Sequence, residues 1–266
     1  MKVFLFSLAL ILSATLNAQG EKGICGQVEY QYYIDSAIAE QRLRKMELES
    51  PQKYNQYGSM FRGINATMNR LVFTLSFDQQ ASLWSLDPNA IPENSDEKFH
   101  YETAATMVSE AWKYEYYNQQ QNRRVTQSEY MGSVLNITHP NEPLEWSQTG
   151  KTKKIGNYVT YEATATYHPK NRLEKDAPQI LFAWYAPELP YPYGPRGVDG
   201  LPGLILALEI QSKEGRDRGF RAVDLNLQST APEDCSVELP KAVGTMSKQD
   251  FLSKVTAEVK AIRGNK

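Results

Sequence analysis

The 266-residue chain carries 29 Lys and Arg against 31 Asp and Glu, a formal net charge of −2 with both signs mixed along its length. It offers no basic field for phosphate, which argues against a nucleic-acid partner. No acidic or basic tail, low-complexity tract or clear internal repeat interrupts it.

Met1-Lys2 is a short basic start, Val3 to Leu16 an apolar run, and Asn17-Ala18 a small-residue end. That order is a secretory signal peptide, with cleavage expected after Ala18. The run falls short of the ~20 residues of a membrane span, so no transmembrane segment is expected after cleavage. Residues 19–266 are then long enough for one β-rich domain burying about 70–75% of its unfolded surface. Export would place the two cysteines, Cys25 and Cys235, in an oxidising compartment that permits one long-range disulfide. Two separate buried thiols are the alternative. No histidine lies close in sequence to either cysteine, which argues against a thiol nucleophile.

Val28, Tyr30 and Tyr32 alternate with polar residues and predict a half-buried strand. Ser36 to Glu49 changes period: Ile38, Leu43, Met46 and Leu48 predict an amphipathic helix ended at Ser50-Pro51. Tyr54, Tyr57, Met60 and Phe61 follow in a glycine-punctuated segment. Leu71, Phe73, Leu75 and Phe77 predict the clearest strand, with a hairpin partner over Ala81 to Leu86. Asp87 to Lys98, with two prolines and the acids Glu93, Asp96 and Glu97, reads as a solvated loop without the ligand spacing of a calcium loop. Strands are predicted at Trp112 to Asn118, Arg123 to Tyr130 and Val134 to Thr138. Leu144 to Trp146 and Thr152 to Ile155 read as short strands, and Gly156-Asn157 as a hairpin turn. Val159, Tyr161, Ala163, Ala165 and Tyr167 share one face of a longer strand.

Ile180 to Tyr185 is an apolar run rich in aromatics, and Leu204 to Ile210 a second run of strand length buried on both faces. Between them Pro187, Pro190, Pro192, Gly194, Pro195 and Gly197 forbid regular structure. Pro202 and Gly203 predict a type II turn over Leu201 to Leu204, with Gly203 at positive φ. Lys213 to Gly219 is turn-like, and Val223, Leu225 and Leu227 predict a hairpin partner for the second run. Finally Ser247 precedes Phe251, Leu252, Val255, Val259 and Ile262 at helical spacing, with Asp250 completing a capping box.

Trp184-Tyr185, Pro190, Gly194-Pro195 and the hexapeptide Gly200-Leu201-Pro202-Gly203-Leu204-Ile205 occur in the order that marks the GLPGLI family of exported bacterial proteins, which this chain resembles. The resemblance extends to Trp112-Lys113-Tyr114-Glu115-Tyr116-Tyr117-Asn118 and to Trp146 with Lys154 to Tyr158. One departure is the absence of a cysteine near Val159 to Tyr161, where the family often has one. The resemblance implies export, to the periplasm or the inner side of the outer membrane, and implies no chemistry.

The fold expected is α+β and mainly β: an antiparallel meander of nine to eleven strands curled into an open barrel or half-barrel, with helices near the two ends. His100, His139 and His168 lie far apart, without metal-ligand spacing, and no Gly-x-Ser-x-Gly occurs. No catalytic, metal or cofactor residues are therefore assigned. In the signature loop, Arg196 and Asp199 could order the loop as a salt bridge or carry function. The binding region expected is Trp184, Tyr185, Gly194, Pro195, Arg196, Asp199 and Gly200 to Ile205. Three functions fit: a non-enzymatic module for a hydrophobic ligand or client protein, an accessory subunit docking on an outer-membrane protein, or an envelope hydrolase built on Arg196, Asp199 and a distant histidine.

Overall fold

A computed structural model describes residues 23–86, 90, 92–109, 113–168, 178–213, 215–230 and 236–264. The expected signal peptide, Trp112 and Cys235 lie outside the described residues. Strand outweighs helix, 47% to 29%, in one large sheet that does not close into a barrel.

The first strand is the middle of that sheet. β1 (Gly23–Ile34) pairs antiparallel with β2 (Val72–Phe77) on one side and β11 (Gly215–Thr230) on the other. From β2 the chain meanders outward through β3 (Ala81–Leu86), β4 (Tyr114–Asn118), β5 (Arg123–Tyr130) and β6 (Ser133–Pro140). It then crosses to the opposite edge and meanders back through β7 (Ser147–Ile155), β8 (Tyr158–Tyr167), β9 (Gln179–Ala186) and β10 (Leu204–Ser212) to β11. A twelfth strand, β12 (Gly244–Ser247), adds parallel to β6 and takes the count above the nine to eleven expected. Leu144 to Trp146 forms no strand; it belongs to the connection that crosses between the two edges.

Three of the four α-helices among the described residues follow β1 or interrupt the first meander. α1 (Ser36–Glu49) is capped by Asp35, whose Oδ1 accepts from the amides of Ala37 (2.9 Å) and Ile38 (3.2 Å). It buries Ala39 and Leu43, whereas Leu48, expected on the apolar face, is 83% exposed. The glycine-punctuated segment after it is a second helix, α2 (Pro51–Met68): Pro51 begins it where the missing amide costs nothing. Part of the acidic stretch read as loop is helix too, α3 (Ser95–Val108). α4 (Lys248–Gly264) closes the described chain, with the Asp250 amide donating to Ser247 Oγ at 3.1 Å and the hydroxyl returning the bond to Oδ2 at 2.7 Å.

Alternation along the strands defines an inner and an outer face. Phe73 stacks on Trp84 at 5.0 Å, Phe220 meets Trp84 edge-on at 5.4 Å, and Tyr30 is fully buried beside them. Ala39, Ile64 and Met68 from α1 and α2, Tyr101 and Ala104 from α3, and Leu189, Tyr191, Tyr193 and Leu201 from the β9–β10 loop join the same core. The inner face is thus covered by three helices and by the proline-rich loop. The outer face has a smaller cluster of Ala81, Tyr114, Tyr116 and Val125 under Val237 and Leu239.

Candidate functional site

The β9–β10 loop, which carries the signature, is folded tightly onto the start of β10. The amide of Leu204 donates to the Leu189 carbonyl (2.9 Å), that of Ile205 to Tyr193 (3.0 Å) and that of Gly200 to Pro192 (3.2 Å). Tyr193 bridges Asp199 antiparallel, closing a short 3-10 turn at Pro195–Gly197. Tyr30 of β1 donates its hydroxyl to the Ile205 carbonyl at 2.6 Å, so the central strand and the hexapeptide are tied through a buried bond.

The glycines act differently from the turn chemistry expected. Positive φ occurs at Arg196 (56°), Gly197 (64°) and Gly200 (88°), and not at Gly203. Gly203 is required instead by close approach: a Cβ there would lie 2.3 Å from the Ala186 carbonyl oxygen and 2.9 Å from Pro187 Cα. Both are backbone atoms at the end of β9, which cannot swing aside. At Gly197 conformation and space act together, since a Cβ would sit 2.2 Å from Glu115 Oε1.

That proximity leads to the principal electrostatic feature. Arg124 of β5 is nearly buried and lies between two carboxylates, bonding Glu115 Oε1 through Nη1 (2.6 Å) and Asp199 Oδ2 through Nη2 (3.0 Å). Its Nε donates to Asn141 Oδ1 at 2.6 Å, and the guanidinium lies 4.5 Å from the Tyr117 ring centroid. Asn141 donates onward to Asp199 Oδ2 (3.1 Å) and Tyr117 Oη (3.3 Å), and Trp146 Nε1 donates to the Asp199 carbonyl (2.8 Å). Burial pushes the carboxyl pKa values of Glu115 and Asp199 up, against the opposing pull of Arg124. The cluster braces the signature loop against β4 and β5, from the opposite half of the sheet.

Of the residues singled out in sequence, Arg196 and Asp199 do not pair with each other. Asp199 takes Arg124, while Arg196 lies 5.7 Å from the Tyr167 ring, its pKa pushed down to about 10 by burial. Trp184 and Tyr185 are buried on opposite faces of β9 and form no exposed patch. Gly194 packs on Ile205, Pro195 and Leu201 to Ile205 are buried apart from the exposed Pro202, and Gly200 lies at the Trp146 indole. Cys25 is disulfide-bonded. His139 is the register partner of Arg124, but its Nδ1 contacts the Pro140 carbonyl (3.2 Å), and no hydrogen bond joins it to Asp199 or Arg196 among the described residues. Burial and Lys248 push its pKa down to about 4. His100 lies against Gly63 and His168 is exposed beyond β8, and neither is hydrogen-bonded to Arg196 or Asp199 among the described residues.

Arg124 and Asn141 carried no signal of their own in the sequence. Glu115, Tyr117 and Trp146 did, because they fall within the outlying stretches that resemble the family.

No family model and no curated protein matches the chain. Among solved structures it is similar to PNGF-II in two space groups: P21, with a TM-score of 0.46 and 9% identity, and C2, with 0.48 and 10%. Each match covers 86% of this chain and 32% of the other, so the chain spans about a third of that protein's length.

Proposed function

We propose that this chain is a non-enzymatic binding module of the cell envelope, exported and GLPGLI-like, that works by docking onto another protein. The observation that carries the reading is the covered inner face. A carrier built on a curled half-barrel would hold its apolar cargo there, and in this chain the signature loop and α1 to α3 fill that face with their own Leu, Ile and Tyr side chains. Such a plug favours a protein client over a lipid cargo, because apolar cargo would have to displace residues that are themselves almost fully buried. The buried Arg124 cluster fits the same reading: Glu115 Oε1 is held by Arg124 and Asp199 Oδ2 by Arg124 and Asn141, so both carboxylates serve to fix the loop. On this view the signature is structural, a brace between the two halves of the sheet, and recognition lies on the exposed surface.

The test is native mass spectrometry of the mature protein from its own envelope, combined with in-cell photo-crosslinking from the exposed positions Ile180 and Val223. A single protein partner at fixed stoichiometry is the expected result. A stoichiometric lipid or other apolar molecule without a protein partner would overturn the docking reading.

A further inference from the structure

A repeated arrangement covers three aromatic side chains of this sheet. Lys153 lies 3.9 Å from the Trp184 ring centroid and is held by Glu209 at 3.3 Å. Arg216 lies 3.4 Å from the Phe182 centroid and is held by Glu162 (2.6 Å) and Glu209 (3.0 Å). Arg124 lies over Tyr117 and is held by Glu115. Each unit is an aromatic face, a cation on it, and a carboxylate fixing the cation.

At one end of β8 and β9 the same unit lacks its cation. An open notch of about 190 Å³ is lined by Val159, Tyr161, Tyr185, Pro187 and Glu188. The Tyr161 and Tyr185 rings stand 6.1 Å apart at 36°, and Tyr185 Oη is fixed by donating to Gln148 Oε1 at 3.2 Å. Tyr161 is 42% exposed, although the inner-face aromatics around it are buried. Glu188 is exposed and has no hydrogen bond or ion pair among the described residues. The exposed Tyr161 face, backed by the buried Tyr185 ring and beside a free carboxylate, is complementary to an organic cation and repels an anion such as a fatty-acid headgroup.

We propose that this notch receives a basic side chain, Arg or Lys, of the docked partner, the guanidinium or ammonium lying on the exposed Tyr161 ring with Glu188 as its counter-ion. The inference rests on the protein-docking reading and gives it a surface and a partner chemistry. One residue of the chain works against the site. Lys154 of β7 is exposed, is the register partner of Val159 and so shares its face, and it raises the local positive potential.

The probes are Nα-acetyl-arginine amide, choline and the neutral choline isostere 3,3-dimethyl-1-butanol, titrated against the full mature chain by heteronuclear NMR. The expected result is saturable shifts confined to Val159, Tyr161, Tyr185 and Glu188, with the cations bound about fivefold more tightly than the isostere. Tyr161→Leu, which keeps apolar area and removes the π face, should abolish that preference. Glu188→Gln should weaken cation binding roughly threefold, and Lys154→Ala should strengthen it by a similar factor. Equal binding of choline and its isostere, or no shift at these residues with any cation, overturns the proposal. Retention on phosphatidylcholine vesicles that free choline competes away would overturn the protein source and assign a lipid headgroup instead. The two readings are distinguishable: a protein partner captured without cation binding refutes the notch alone, whereas cation binding without a protein partner refutes docking and, with it, a partner side chain as the occupant.

Discussion

Replacing Arg124 with Met should destabilise the protein by roughly 3–5 kcal/mol near neutral pH, the cost of leaving a buried ion pair without one partner. The structure places this substitution at the upper part of that range. Arg124 serves two carboxylates, Glu115 at 2.6 Å and Asp199 at 3.0 Å, and its Nε also satisfies Asn141. Met conserves the stem volume, so the loss is electrostatic more than steric. For a chain of this size it corresponds to a fall in melting temperature of roughly 6–20 °C. The pH dependence is the sharper test. Both carboxyl pKa values already lie above their ordinary values because of burial, and removing Arg124 raises them further. A group whose folded pKa exceeds its unfolded pKa is favourable to folding in its protonated form. The stability of Arg124→Met should therefore fall as pH rises from about 4, and the gap to the parent should narrow on acidification. Urea denaturation at pH 5 and pH 7.5 measures both. Adding Glu115→Gln and Asp199→Asn to Arg124→Met should recover part of the loss. A deficit under about 1 kcal/mol, or one independent of pH, would refute the assignment of this cluster as the brace of the signature loop.

Further outcomes follow from single sites. Gly203→Ala should cost roughly 2–3 kcal/mol in chemical denaturation, because its Cβ meets the Ala186 and Pro187 backbone, while Pro202→Ala, at an exposed neighbour, should stay within about 0.5 kcal/mol. His139 has a folded pKa lowered to about 4 from an ordinary 6.5, so its contribution is complete above pH 6.5 and is lost as pH falls toward 4. Replacing it with Gln should remove a pH-dependent term on the order of 1 kcal/mol after solvent screening from stability curves over that window. Reduction of the disulfide at Cys25 should lower stability by roughly 2–5 kcal/mol and add two mass units to the intact protein. A mass unchanged by reductant would contradict the bond.

Much of the architecture is legible in local pattern. Period-two alternation over Leu71 to Phe77 places β2, because that strand has one buried face to satisfy, whereas Arg124 to Gln127 of β5 are buried on both faces. Ser247 and Asp250 mark the start of α4, because a cap is a contact between near neighbours. Where local cues conflict, the reading fails. Gly58 and Gly63 weaken the local helix signal between Pro51 and Met68, yet α2 runs through both because packing of Ile64 and Met68 outweighs two glycines; a Cβ at Gly63 would fall on the His100 ring, so the glycine also gives α3 its room. The parallel addition of β12 to β6 joins segments more than a hundred residues apart and leaves no local trace.

The sequence alone determined that the Gly200 to Ile205 stretch enters a buried strand, and that Arg196 and Asp199 were the charges to watch in the loop before it. Only the tertiary structure decided their partners. A salt bridge is a relation between side chains brought together by tertiary folding, and β5 and the β9–β10 loop are neighbours only because the loop folds over the inner face to which β5 contributes Arg124. Gly203 follows the same logic: a proline-glycine pair suggests a turn, but it is the backbone of Ala186, a different strand, that leaves no room for a side chain.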